Sequence, residues 1–271
     1  MPKFGHGRSL SPPVRGACDE QGRGRHPRRP AKSTGYARPG LRCSVSASIR
    51  RRMPRENLTA TLEALFDAER AARQAQDALV EADPPEVLPL LERATREALA
   101  LDEIDEEESS LRLVRIAEVL GEMQGPRVVD LLVDVLGSDE PEARHAAGEA
   151  LSGLAFDRFK EVALGIERAI ERLPADSPAI AELPYLLVEI PEPGVLPLLS
   201  RFLAHSSPDA VAAAIEALVE IGDPAALPLL GALADDERQV QLEDDTGTAG
   251  EATIGDLVAE ARAILGKGGQ T

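Results

Sequence analysis

The sequence predicts an all-α fold, an α-solenoid of about five antiparallel helix pairs closed by a capping helix. Three observations carry that prediction. An apolar phrase is written three times, as "VLPLL" at 87–91 and 195–199 and as "ALPLL" at 226–230, each time a few residues after another proline. Longer segments also align at a fixed offset: "YLLVEIPEPGVLPLLSRF" (185–202) matches "EALVEIGDPAALPLLGAL" (216–233) at 31 residues. Equivalent leucines stand at Leu120, Leu151, Leu187 and Leu218, spaced 31, 36 and 31, as stacked helix pairs require. Finally, aromatic residues make up only 3% of the chain and tryptophan is absent, so core volume comes from Leu, Val, Ile and Ala. Small side chains let helices approach closely.

Residues 1–52 stand apart from this pattern. They carry 13 Lys+Arg against 2 Asp+Glu and are rich in Arg, Gly, Pro and Ser, without helical or strand periodicity. Such a segment cannot bury enough apolar surface to offset its ordering entropy, and it is expected to be disordered. Three readings stand beside one another: a basic arm, an organelle transit peptide, or upstream sequence ahead of a true start at Met53.

Residues 53–101 predict a long N-terminal helix pair. An amphipathic helix bearing Leu58, Leu62, Leu65 and Phe66 is followed by "PPEVLPLLERATREALAL". Repeats fill 102–235, and the successive pairs are expected at 57–101, 107–137, 140–173, 176–204 and 207–235. The first helix of a pair opens on a polar residue followed by proline, as at Glu140-Pro141, Ser177-Pro178 and Ser207-Pro208, and the second opens the same way at Asp83-Pro84, Gly125-Pro126, Glu192-Pro193 and Asp223-Pro224. Proline is tolerated there because its missing N–H would have no intrahelical partner anyway. The connections are short, so paired helices run antiparallel. The internal proline of "LPLL" sits at the edge of the first turn, where a small kink is expected. An acidic loop is expected over 236–251, and a capping helix (252–265) with its tail over 252–271.

"SSPDAVAAAIEALVEIGDPAALPLLGALADD" resembles a HEAT repeat of the short bacterial type, the kind named after phycobilisome lyases. The shared pattern is proline, an apolar helix with E-A-L, glycine-aspartate-proline, then a leucine-rich second helix. The resemblance covers roughly 105–235 and weakens over 57–101. It implies stacked helix pairs and encodes packing rather than a specific activity.

Composition narrows the function further. Residues 53–271 carry 17 Lys+Arg against 45 Asp+Glu, a field that repels phosphate, so nucleic acid is not expected as their partner. No apolar run is long enough to span a membrane, and the N-terminus has no signal-peptide core, so a cytoplasmic location is expected. Cys18 and Cys43 are the only cysteines, which leaves no thiolate metal site or disulfide framework after residue 43.

Two enzyme families with similar arrays supply the alternative reading, a repeat-type enzyme or a cofactor-lyase accessory protein. Deoxyhypusine hydroxylase is an array whose di-iron centre is held by repeated His-Glu pairs. Here His145 is followed by Ala146, and His6, His26 and His205 by Gly, Pro and Ser, so the ligand set is missing. His145 is expected to be a half-buried repeat residue. Bilin lyases share the repeat, but no catalytic residue carries over to this chain. Five acids of the segment 235–252 (Asp235, Asp236, Glu243, Asp244, Asp245) could gather a divalent cation, although a solvated loop is the expected state.

Every apolar position is accounted for by packing, and no catalytic cluster is left over. A non-enzymatic scaffold is therefore expected, binding another protein through a concave wall of second helices. Its candidate partner-binding face comprises Glu92, Arg93, Arg96, Asp130, Asp134, Ser200 and Arg201. No cofactor or metal ion is expected.

Overall fold

A computed structural model describes residues 55–101, 104–243 and 249–268. The readings made on 1–52, and on Asp244 and Asp245, lie outside the described residues. Two units are distinguished, divided inside the first helix between Arg70 and Ala71. That helix is α1 (Arg55–Val80). Leu58, Leu62, Leu65 and Phe66 are 51, 49, 62 and 45% exposed. Beyond them the helix offers mainly alanines, and only Leu79 and Val80 at its end pack against the core.

From Ala71 onward the chain is an all-α repeat array. Helix α2 (Pro84–Leu99) buries Val87, Leu91, Thr95 and Ala98, one residue per turn, and continues unbroken through Pro89. The Thr95 hydroxyl donates to the Leu91 carbonyl (2.9 Å), and Ser109 donates to the Ala98 carbonyl (3.0 Å), so both buried hydroxyls are satisfied. Helix α3 (Glu106–Glu122) is capped by Asp105, whose carboxylate accepts the Glu108 N–H. The glutamates of its first turn complement the helix dipole. Helix α4 (Pro126–Leu136) is covered on nearly all sides, burying Val128, Val129, Leu131, Leu132, Val133, Val135 and Leu136.

The third repeat is built differently from the expected pair with a short loop. Helix α5 (Pro141–Arg172) runs through the whole segment and breaks only at Arg158 (φ −141°, ψ 50°). Ala150 in its first half lies against Gly121 of α3, while Gly165 in its second half lies against Val129 of α4. The kink is held from the preceding repeat. Arg158 Nη2 donates to the Met123 carbonyl (2.9 Å), and Glu161 accepts the Gly125 N–H (2.8 Å). These bonds satisfy backbone groups left open in the turn between α3 and α4.

Helices α4 and α5 approach closely at Gly165. A Cβ there would stand 2.2 Å from Val129 Cγ1, so any larger residue must displace Val129 or the helix that carries it.

The fourth and fifth repeats are shorter than expected because proline interrupts them. Helix α6 (Pro178–Glu182) stops before Pro184 and resumes as a single 3₁₀ turn at Tyr185–Leu187. Its apolar positions survive the break, with Ile180, Leu183 and Leu187 fully buried. Helix α7 (Val195–Leu203) follows, beginning after Gly194 rather than at the expected Glu192-Pro193, then α8 (Pro208–Ile221), capped by the Ser207 hydroxyl and ended by Gly222 in the left-handed region (φ 70°). The "ALPLL" phrase does more than kink. Pro228 divides it into 3₁₀ segments at Pro224–Ala226 and Leu229–Leu233.

The expected acidic loop over 236–251 is also corrected, because its described residues include two paired strands. Strands β1 (Gln239–Glu243) and β2 (Ala249–Thr253) pair antiparallel, with Val240 opposite Ala252. Val240 is buried, and its alternation with Gln239 and Gln241 has the period of a strand. The capping helix α9 (Ile254–Gly268) buries Ile254, Val258, Ala261 and Leu265 along one stripe. Thr253 and Asp256 exchange bonds at its start: the Thr253 hydroxyl accepts the Asp256 N–H, and the Asp256 carboxylate accepts the Thr253 N–H. This is a capping box; the Thr253 hydroxyl, which also donates to the Asp256 carboxylate (2.6 Å), and then the Thr253 N–H hold that carboxyl below the usual carboxylate range.

Gly165→Ala should lower stability to chemical denaturation by roughly 1–3 kcal/mol, because the new methyl overpacks against Val129. Val129→Ala should cost less in the Gly165→Ala background than in the native one. Strictly additive costs would show that this contact does not set the helix spacing.

Candidate functional site

The second helices share a ladder of ion pairs. Arginines of α4, α5 and α7 reach back to carboxylates of α2, α4 and α5 respectively. Arg127 of α4 meets Glu92 of α2 at 2.7 Å. Arg168 and Arg172 of α5 meet Asp130 and Asp134 of α4 at 2.8 and 2.7 Å. Arg201 of α7 bridges Glu167 and Glu171 of α5 at 2.8 and 2.9 Å. Both α4–α5 rungs join residues 38 apart, so these helix segments run parallel and in register.

Between α2, α4 and the second half of α5 lies a cavity of about 590 Å³. Its floor is Thr95, Leu99 and Leu131, and its walls carry four carboxylates (Glu92, Asp130, Asp134, Glu171) and four guanidinium groups (Arg96, Arg127, Arg168, Arg172). The lining is therefore electrically balanced, within a segment where acids outnumber bases 45 to 17. The hydrogen bond and charge of Arg127 hold the Glu92 carboxyl below the usual carboxylate range, and Glu92 in turn raises the Arg127 guanidinium. Glu167 and Glu171 raise Arg201 in the same way. A second groove, of about 350 Å³, lies between α5 and α7 and is lined by Phe159, Lys160, Leu164, Glu167, Leu198 and Arg201 among others.

The candidate face distributes over these features. Glu92, Arg96, Asp130 and Asp134 are brought together around the first groove, and Arg201 lines the second. Arg93 lines neither and pairs with Glu97 along its own helix at 3.8 Å. Ser200 donates its hydroxyl to the Pro197 carbonyl (2.6 Å) and is occupied within its own turn. Sequence reasoning missed Arg127, Arg168, Arg172, Glu167 and Glu171. The signal was present: "ERAIER" (167–172) repeats its Glu-Arg step after four residues, one helical turn apart.

The histidines lie elsewhere. The expectation that His145 is half-buried is corrected: its side chain is 76% exposed and sits 3.6 Å from Glu149 on the outer surface of α5. His205 accepts the Ser207 N–H through Nδ1 (3.2 Å), and burial, followed by the nearby Arg238 charge, pushes its imidazole below the ordinary value. His6 and His26 lie outside the described residues. Of the five acids proposed for a cation, Asp236 is engaged by Arg238 at 2.6 Å. Among the described residues, no group of three or more His, Cys, Asp or Glu side chains is arranged to hold a metal ion. No helix among them is long and apolar enough to cross a membrane.

A double-mutant cycle on Asp130 and Arg168 should give a coupling of about 0.5–1 kcal/mol, the range for partly exposed pairs. A coupling near zero would show that the rung does not persist in solution.

Comparison with known proteins bears on the repeats. Residues 167–243 match the family model for HEAT repeats. No curated protein matches the chain. Among solved structures, human deoxyhypusine hydroxylase in complex with glycerol is similar at 19% identity, covering 74% of this chain and 98% of that one, with a TM-score of 0.28. An engineered protein is similar at 18% identity, covering 73% and 90%, also with a TM-score of 0.28. Overlaps at that score carry no argument about this chain's activity. The family match spans the end of α5 through β1, and it identifies this part of the all-α array as HEAT-repeat sequence.

Proposed function

We propose that this protein is a non-enzymatic scaffold that binds another protein through the face formed by its second helices. One observation supports the reading above others: four helices, α2, α4, α5 and α7, are cross-linked in turn by ion pairs on one face, flanking grooves with apolar floors. Such a surface is rigid before binding, so a partner does not have to order it. Balanced charge on that face avoids the repulsion that the rest of the acidic array would impose. HEAT repeats commonly serve protein interaction, in keeping with this use. Nucleic acid fits poorly, because the array offers phosphate no excess of positive charge.

Chemical cross-linking of the full chain in its native cell, followed by mass spectrometry, tests the proposal. Cross-links to a partner protein are expected on the second helices, with Lys160 and the groove carboxylates as attachment points. Cross-links confined to α3, α8 and α9, or turnover of a substrate by the purified protein, would overturn it.

A further inference from the structure

We infer that the groove between α5 and α7 receives an apolar side chain flanked by carboxylates, from an acidic segment of the partner protein. The inference rests on the protein-binding reading and adds the chemistry of the partner. Three features of the groove lead to it.

The first is an apolar seat that the backbone holds open. Phe159 lies over Gly194, where an added Cβ would stand 2.6 Å from the ring's Cε1. Only glycine lets the ring settle at this depth. Leu198 is buried beneath, while Leu164 on the rim is 48% exposed. A half-exposed leucine beside an open hollow of about 350 Å³ can still gain by being covered.

The second is the state of Lys160. Every arginine of the ladder is engaged by a carboxylate, yet Lys160 has no ion pair or hydrogen bond among the described residues. It is one of only two lysines after residue 52, in a segment with 45 acids available to pair with it. An unpaired cation beside an apolar hollow is the natural counterpart of a carboxylate next to an apolar residue.

The third is the local balance of charge. Arg201 is held by two carboxylates, Glu167 and Glu171, so Lys160 is the charge of this groove that has no counter-charge, while every guanidinium of the ladder has one. A basic segment would be repelled at close range, and a nucleic acid would gain nothing from the apolar seat. A second copy of this chain brings its own net charge of −17 against the same field. An acidic segment of another protein meets the array's repulsion only at a distance, where salt screens it.

The test uses the full chain and short fluorescein-labelled peptides, read by fluorescence anisotropy at about 0.15 M salt, with sedimentation velocity alongside. One peptide alternates Leu and Phe with Glu and Asp. A second keeps the apolar residues and replaces the acids by Lys. A third keeps the acids and replaces the apolar residues by Ser. The first should bind about tenfold more tightly than the others. Lys160→Glu should weaken it by about tenfold, Leu164→Asp by a similar factor, and Lys160→Arg by no more than about twofold. Neither Lys160 substitution breaks an existing bond, so both should leave the melting temperature unchanged.

Equal or tighter binding of the lysine peptide, or indifference to Lys160→Glu, would overturn the inference. So would a dimer that disappears in the Lys160→Glu variant, which would make a second copy the occupant. If no peptide binds while a native partner still cross-links to the second helices, the acidic-segment inference fails and the protein-binding reading survives. If neither occurs, both fail.

Discussion

The close approach of α5 to α4 at Gly165 governs the rest of this array. With no side chain at Gly165, Val129 fills the space between two helices that would otherwise sit farther apart. That distance lets both arginines of α5 reach aspartates of α4 at hydrogen-bonding range, with the same 38-residue separation at each rung. Moving the helices apart by the width of one methyl would stretch both rungs together. On the same helix Lys160, Leu164 and Glu167 line the second groove, while Arg168, Glu171 and Arg172 line the first. A packing detail thus determines where charge and apolar surface are displayed.

Charge is divided in an informative way. Stability of the array comes from the leucines and valines buried between repeats, many with no exposed surface at all. The surface ion pairs contribute little by comparison, since partly exposed pairs are worth about 1 kcal/mol or less. Their effect is on order: each fixes the rotamer of an arginine that would otherwise sweep through solvent. Clamps at the turns act similarly. Arg158 and Glu161 hold the turn between α3 and α4, Arg144 bonds the carbonyls of Ser138 and Asp139, and Arg238 bonds that of His205. Among the described residues arginine is largely a fastening residue, which is why an unfastened lysine stands out.

Much of the fold was legible because its signals are local. Proline at the first helical position marks the starts of α2, α4, α5, α6 and α8 as expected, and Leu120, Leu151, Leu187 and Leu218 are all fully buried. What was not legible depends on tertiary context. The kink at Arg158 has no proline or glycine at its centre, because its bonds come from residues some 35 positions earlier. Pro184 and Pro228 shorten their helices where Pro89 does not, although the surrounding phrases are nearly the same. The hairpin at 239–253 was masked by the acids around it, though Val240 and Leu242 alternate with polar residues. On the candidate face, outward position could be read from periodicity. The partner of each side chain could not, since every cross-helix rung joins residues 30 to 38 apart.

Hydrogen–deuterium exchange of the full chain, alone and bound to the protein that cross-links to it in its native cell, tests the central claim most directly. Binding through the second helices predicts slowed exchange in α4, in α5 after Arg158 and in α7, with little change in α3 and α8. Protection confined to α3, α8 or α9, with the ladder helices unaffected, would contradict it.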